Sequence, residues 1–176
     1  MDVVLRAATP EDAEAVATVR VAGWWGAYPG LLPSPLLHAL DVPDEAARRR
    51  ARWAEQHADP RGTDLVAEVD GLVCGWAVAG HSRDPERPQD GELYGLYVIP
   101  RLWSAGIGHR LMVAVEEHLR AQGYTRAHLW VLDGNARAAE FYEQHGWVED
   151  GGTQLDRRGE HELRENRRVR DLARPG

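Results

Sequence analysis

The sequence predicts an α/β (α+β) fold: one domain, spanning residues 3–172, whose mixed central sheet is flanked by helices. Three observations carry this expectation. In the first half, Asp70-Gly71 joins two strand-like runs in "TDLVAEVDGLVCGWAVAG", a strong hairpin signal that argues against a doubly wound sheet. Further on, "ELYGLYVI" after Glu92 and "AHLWVL" are apolar at nearly every position, as expected of central strands covered on both faces. Between those two runs Ile107, Leu111, Val115 and Leu119 recur every four residues, the stripe of an amphipathic helix.

The elements follow in order. Val3 to Arg6 is a short strand. In "TPED", Thr9 can cap a helix, Pro10 suits its first turn and Asp12 takes the capping-box position. Ala13, Val16 and Val19 then line a helix that is expected to end before "WWGAYPGLLPSP", a stretch of aromatics, glycines and prolines. A second helix follows Asp41-Val42-Pro43 and runs to the neighbourhood of Asp59-Pro60. Its Arg48, Arg49, Arg50 and Arg52 are most simply a solvated face. After the hairpin, "HSRDPERPQD" reads as a loop, and Pro100 ends the ladder begun at Glu92. The long helix stops near Gly123, "NARAAEFYEQHG" is a short helix from Asn135, Trp147 to Thr153 returns as a strand, and "EHELRENRRVRDL" is a last, charged strand. The order β-α-α-β-β-β-α-β-α-β-β gives one sheet of mixed direction with helices packed on it.

Composition narrows the function classes. The chain has 176 residues, 43% of them hydrophobic and 28% charged, enough for a substantial core and ordinary for a folded soluble protein. A formal net charge of -7 argues against bulk attraction to nucleic acid. The single cysteine, Cys74, cannot form an intrachain disulfide and reads as a small core residue. No apolar run approaches the roughly 20 residues that span a bilayer, and the N-terminal residues become charged too early for a secretory signal. These features fit a cytoplasmic protein without a membrane segment. No cysteine-histidine cluster has zinc-site spacing, so no metal is expected.

The stretch "WSAGIGHRLM", residues 103–112, places Gly106 and Gly108 where a strand hands over to a helix. Glycine leaves the backbone open to a ligand, and the first N–H groups of a helix, with its dipole, favour an anion. The pair alone is equally a plain turn. A dinucleotide fingerprint needs a third glycine and a P-loop needs a lysine, and neither is present in these ten residues.

Two blocks together carry a resemblance. "LYVIPRLWSAGIGHRLM" and, about thirty residues later, "NARAAEFYEQHGW" resemble, in that order, the GCN5-related N-acetyltransferase (GNAT) superfamily, and the likeness covers nearly the whole chain. "WWGAYPGLLP" and "GELYGLYV" are similar to one bacterial branch whose members often lack an assigned substrate. The resemblance implies acetyl-CoA as cosubstrate, with its pyrophosphate on N–H groups around Ala105, Gly106, Ile107, Gly108 and His109, and with Ser104 beside them in the cofactor site. It implies that the pantetheine arm runs beside Leu96-Tyr97-Val98 like an extra strand, and that Asn135, Ala138 and Tyr142 complete the cofactor site. Arg101, Arg110 or Arg137 could add positive charge. Trp103 stands where the family usually has glutamine or arginine, and Ala105 where a basic residue is common. Trp103 either contacts the cofactor or simply packs.

The implied reaction is direct attack by a neutral primary amine on the acetyl thioester. An amine with a pKa near 10 is mostly protonated at neutral pH, so a base or a relay water is useful. Tyr142 matches the family's proton donor to the departing thiolate, and the alternative is that it packs the short helix beside Phe141. Glu92 is a candidate base, or else a solvent-exposed strand-edge charge. Trp24, Trp25 and Tyr28 are candidates for the acceptor groove, with His81 and Tyr94 secondary. The acceptor is a small-molecule amine or a peptide amine. A homodimer is common in the family, which a charged terminal strand does not by itself establish. Two other classes stay open: a toxin that acetylates aminoacyl-tRNA, and a non-catalytic acyl-CoA-binding protein.

Overall fold

In the computed structural model, which describes residues 2–173, seven strands form one sheet in the order β1-β2-β3-β4-β5-β7-β6. They are β1 (Val3–Ala7), β2 (Thr63–Val69), β3 (Leu72–His81), β4 (Gly91–Val98), β5 (Arg126–Leu132), β6 (Val148–Arg158) and β7 (His161–Asp171). Every neighbouring pair is antiparallel except β4 and β5. The mixed sheet expected from the hairpin is therefore present, and Asp70 and Gly71 turn it with φ of 52° and 76°, the positive angles a two-residue hairpin requires.

The parallel pair is joined by α5 (Ile107–Ala121), because parallel neighbours need a crossover. Ile107, Leu111, Val115 and Leu119 are each 0% exposed, packed on one face of the sheet with Ala67, Ala77 and Leu93. Each such burial contributes on the order of 2 kcal/mol. The opposite face takes α1 (Ala13–Ala27), whose Val16 and Val19 pack on Val66 and Trp76. Alternation along β2, with Val66 facing one layer and Ala67 the other, places the sheet between two layers of helix. Among the described residues, no helix is long and apolar enough to cross a membrane.

Several elements differ from the sequence reading. The first helix does not stop before Trp24 but continues to Ala27, because the indole Nε1 of Trp24 donates to the Tyr97 hydroxyl at 3.2 Å and Trp24 packs with Leu32 and Leu37. The proline-rich stretch forms a short helix, α2 (Ser34–His38), with Pro35 in its first turn, where its missing N–H costs nothing. The single helix expected after Asp41 is two, α3 (Val42–Ala51) and α4 (Trp53–Gln56), with Asp41 capping the first through the N–H of Asp44. The arginine run is not wholly solvated. Arg49 pairs with buried Asp64 at 2.5 Å between the rings of Trp53 and Trp76. The strand from Trp147 instead begins at Val148 and extends to Arg158, forming a long hairpin with β7.

One irregularity positions the site. Between β3 and β4 the register runs Val78↔Gly95 and then Ala79↔Leu93, so Tyr94 is an extra residue in β4. Such a bulge bends its strand. The parallel pairing of β4 with β5 is limited to Gly91–Leu93 against Ala127–Leu129. Beyond Leu93 the two strands separate, and residues 94–97 of β4 become half-buried in a sheet whose centre is otherwise closed.

Candidate active site

The gap between β4 and β5 opens into a cleft of about 1100 Å³. Its two strand walls are inherently unequal. The Ile99 N–H donates to the Cys74 carbonyl on β3 at 2.9 Å. Antiparallel alternation then turns the N–H and C=O of Leu96 and Val98 away from β3, toward the gap. The Val98 carbonyl is occupied by the Trp103 indole Nε1 at 2.7 Å. The N–H and C=O of Leu96 and the N–H of Val98 therefore face the gap with no strand opposite them.

At one end of this edge lies the start of α5. A short 3-10 turn, Pro100–Leu102, leads through Ser104 at φ 62° to Gly106 at φ 81°, the N-cap. The first is strained for a side-chain-bearing residue, and the second suits glycine. The N–H groups of Gly106, Ile107, Gly108 and His109 make no main-chain hydrogen bond, and a Cβ on Gly106 would meet nothing within 4 Å. This is an open cradle of donors at the positive end of a helix dipole. Ala105 is not part of it: its N–H turns back to the Leu102 carbonyl at 3.3 Å. Ile107 offers only its main chain, since its side chain is in the core. Arg137 lies over the Trp103 ring at 4.1 Å, inside the cleft, whereas neither Arg101 nor Arg110 lines it.

Gly108 is a close-approach position. A Cβ there would lie 3.3 Å from the Phe141 ring, so α5 and α6 (Ala136–Gln144) touch through that pair. Asn135 caps α6 by accepting the Ala138 N–H at 3.1 Å, and it also lines the cleft. The helix ends with Gly146 N–H donating to Glu143 and Trp147 N–H to Tyr142, a Schellman arrangement. Trp147 is 0% exposed and its indole donates to Glu116 on α5. The block "NARAAEFYEQHGW" thus anchors α6 at both ends and leaves Tyr142 on the cleft. Among the described residues the Tyr142 hydroxyl has no hydrogen-bond partner, and burial, with Tyr97 nearby, pushes its pKa up.

Across the gap, three tyrosines approach one another. Burial raises the Tyr28 pKa, and Tyr97, Tyr142 and Glu165 act on it in the same direction. Trp24 and Tyr28 meet edge to face at 5.1 Å and both line the cleft. Trp25 does not: it is 43% exposed and packs against His38 at 5.3 Å, on the helix face turned away. Tyr94 lines the cleft, its hydroxyl donating to the His81 carbonyl, and the His81 ring lies outside it.

Glu92 is neither exposed nor free. It is 2% exposed, with Oε2 accepting the Arg83 N–H at 2.7 Å and Oε1 accepting Arg83 NH2 at 2.6 Å. Burial pushes its pKa up, but the neighbouring His128 and Arg83 outweigh this and hold it at about 2. A carboxylate that binds a proton so weakly, with its oxygens engaged, is a poor acceptor for an amine's proton. Its place in the structure is to fix the loop after β3. Cys74 is buried, with its thiol toward the Ala67 carbonyl.

The sequence reading missed the far wall. Trp130 and Leu132 of β5, Leu163 and Glu165 of β7, and Gln154 and Asp156 of β6 line the cleft. Their signal was strand alternation: Leu163 and Glu165 lie two apart and so share a face. Nothing local in "EHELRENRRV" marks that face as inward. Among the described residues, no group of three or more His, Cys, Asp or Glu could hold a metal ion.

Comparison with known proteins agrees with this fold. The Salmonella typhimurium acetyltransferase yncA, solved with its cofactor acetyl-CoA, shares the fold over 100% of this chain and 97% of its own, with a TM-score of 0.71 and 17% identity. By sequence, the uncharacterized N-acetyltransferase YuaI of Bacillus subtilis is 27% identical over 133 residues, 76% of this chain and 73% of the relative. The uncharacterized N-acetyltransferase Rv2669 of Mycobacterium tuberculosis is 34% identical over 122 residues, 69% of this chain and 75% of the relative. The acetyltransferase (GNAT) family model matches residues 15–147. The chain belongs to that family.

Proposed function

We propose that the protein transfers an acetyl group from acetyl-CoA to a primary amine held in the cleft. The single observation that carries this reading is the separation of β4 from β5, which leaves the N–H and C=O of Leu96 and the N–H of Val98 open beside the amide cradle of α5. The cradle suits the pyrophosphate of the cofactor, since neutral amides bind an anion in a chain of net charge -7 without a basic patch. The free edge of β4 suits the amides of the pantetheine arm, with the leftover side-chain amide of Asn135 nearby. When bound, acetyl-CoA supplies the activated acetyl thioester.

The residues of the chain do the rest. Arg137 adds charge at the cradle, and the Val98 N–H is a donor for negative charge developing on a carbonyl oxygen in the gap. Tyr142, its pKa raised, stays protonated at working pH and donates its hydroxyl hydrogen toward the departing sulfur. Tyr28 and Trp24 close the acceptor side against water. Glu92 holds Arg83 and takes no part in proton transfer. The test is thiol release from acetyl-CoA across a panel of amines, with calorimetric binding of CoA in parallel. Amine-dependent release supports the reading; CoA binding without release from any amine would leave an acyl-CoA-binding protein.

A further inference from the structure

The proton acceptor and the charge preference of the acceptor pocket are both open once Glu92 is committed to Arg83. On the acceptor side of the cleft the arginines have acidic partners, while Arg137 and Glu140 lie at the α5–α6 end. Arg20 is paired with Glu45, Arg83 with Glu92 and Arg158 with Asp156. Glu165 stands apart. Among the described residues, its carboxylate is hydrogen-bonded only by the neutral side-chain amide of Gln154, at 2.6 Å.

Register places that carboxylate. Glu165 pairs with Leu132 on one side and Gln154 on the other. Leu132 lies three residues beyond Leu129, where β4 leaves β5, so Glu165 faces the widened part of the gap. It acts electrostatically on Tyr28, which also senses Tyr97 and Tyr142. The walls around it are Trp130, Leu132 and Leu163, with Tyr28 opposite. Its charged neighbours are Asp156 and Arg158 on β6 and Arg83 on the preceding loop, and burial dominates in pushing its pKa up.

We propose that Glu165 receives the acceptor's ammonium group and accepts its proton, so that the substrate class is cationic primary amines with an apolar body. The step is a simple exchange: one ammonium N–H bond breaks, one carboxyl O–H bond forms, and the nitrogen keeps the electron pair it needs for attack. The proton later leaves to water at the cleft mouth. An anionic substituent adjoining the amine is disfavoured, because it would meet the same carboxylate, whereas the arginines nearby already have partners.

This inference rests on the acetyltransferase reading, but its test reads binding as well as turnover. Phenethylamine, phenethyl alcohol and 3-phenylpropionate share a body and differ in charge. Titrated into the CoA-loaded protein at pH 7, phenethylamine should bind about tenfold tighter than either of the others, the increment of one charged hydrogen bond. Glu165→Gln, close to isosteric, should lower phenethylamine affinity to that of the alcohol while leaving CoA affinity and melting temperature unchanged. In turnover it should raise the amine KM and shift the rising limb of the kcat/KM profile to higher pH, since the amine must then arrive neutral. Equal binding of the three probes, no phenethylamine binding, or a Glu165→Gln protein that keeps the cation preference would each overturn the assignment. A protein with the preference but no thiol release would overturn the acetyltransferase reading alone.

Discussion

The indole N–H of Trp103 donates to the main-chain carbonyl of Val98 at 2.7 Å. A side chain five residues past the end of β4 thereby takes one of the polar groups that the departure of β5 leaves without a strand partner. The ring is held from its other face by Arg137 at 4.1 Å. Trp103 thus packs against β4 while also lining the cleft beside the start of α5. Trp103→Phe keeps a ring and deletes the donor, and should cost about 1 kcal/mol of stability, read as a lower urea midpoint. An unchanged midpoint would mean that water satisfies Val98 equally well.

The amide cradle predicts sensitivity to negative charge. Ser104 is exposed, has φ of 62° and lines the cleft. Aspartate tolerates that left-handed conformation. Ser104→Asp should leave the fold intact and weaken CoA binding about tenfold or more by calorimetry, through repulsion of the pyrophosphate. A bulky residue at Gly108 is a poorer probe, because it would displace Phe141 and disturb α6 along with the ligand. Wild-type affinity in Ser104→Asp would place the phosphates elsewhere.

Tyr142→Phe removes one hydroxyl from a side chain whose ring remains packed. CoA binding and melting temperature should hold, and kcat should fall by roughly 10-fold to 1,000-fold, the range expected for losing a positioned proton donor. Pre-steady-state measurement shows whether chemistry limits turnover. A variant with wild-type kcat under that condition removes Tyr142 from the reaction.

Glu92 gives a prediction in pH. Its folded pKa of about 2 lies below the ordinary value of 4.5, so its contribution to stability is complete above about pH 4.5 and is lost as pH falls toward 2. A shift of that size corresponds to at most about 3 kcal/mol. Glu92→Gln should be less stable at pH 7, and the difference from the parent should shrink on acidification. A gap between the two proteins that is constant from pH 7 to pH 3 would show that burial of the amide, not loss of the charge, sets the cost.

The fold and the part of the cleft proposed for the cofactor were legible because their signals are local. Asp70-Gly71 marks its turn by backbone angle, the four-residue period of Ile107 to Leu119 marks its helix, and Gly106 marks its cap. The acceptor half was not legible because it is made by register. Glu165 reaches the cleft only because β7 inserts between β5 and β6, an order that no stretch of sequence announces. Glu92 misled for a related reason. A carboxylate at the start of a strand looks exposed until Arg83, nine residues earlier, folds back onto it. Trp24 and Trp25 are neighbours with opposite fates, one buried on Tyr97 and the other facing outward, because adjacent helical positions lie about 100° apart.

The short seam between β4 and β5 has a mechanical side. Only the pairs from Gly91 to Leu93 and Ala127 to Leu129 join the four-stranded half of the sheet to the three-stranded half. With a strand rise of about 3.3 Å, Val98 lies roughly 16 Å from the seam, so a rotation of about 5° there moves the tip by roughly 1.4 Å. The ladder bonds within each half are untouched by such a rotation. Any such rotation is opposed by the apolar contacts of Trp24, Leu32 and Leu37 with Leu163 and by the ion pairs of Arg167 on β7 with Asp84 on the loop after β3 and of Arg87 with Asp150 on β6.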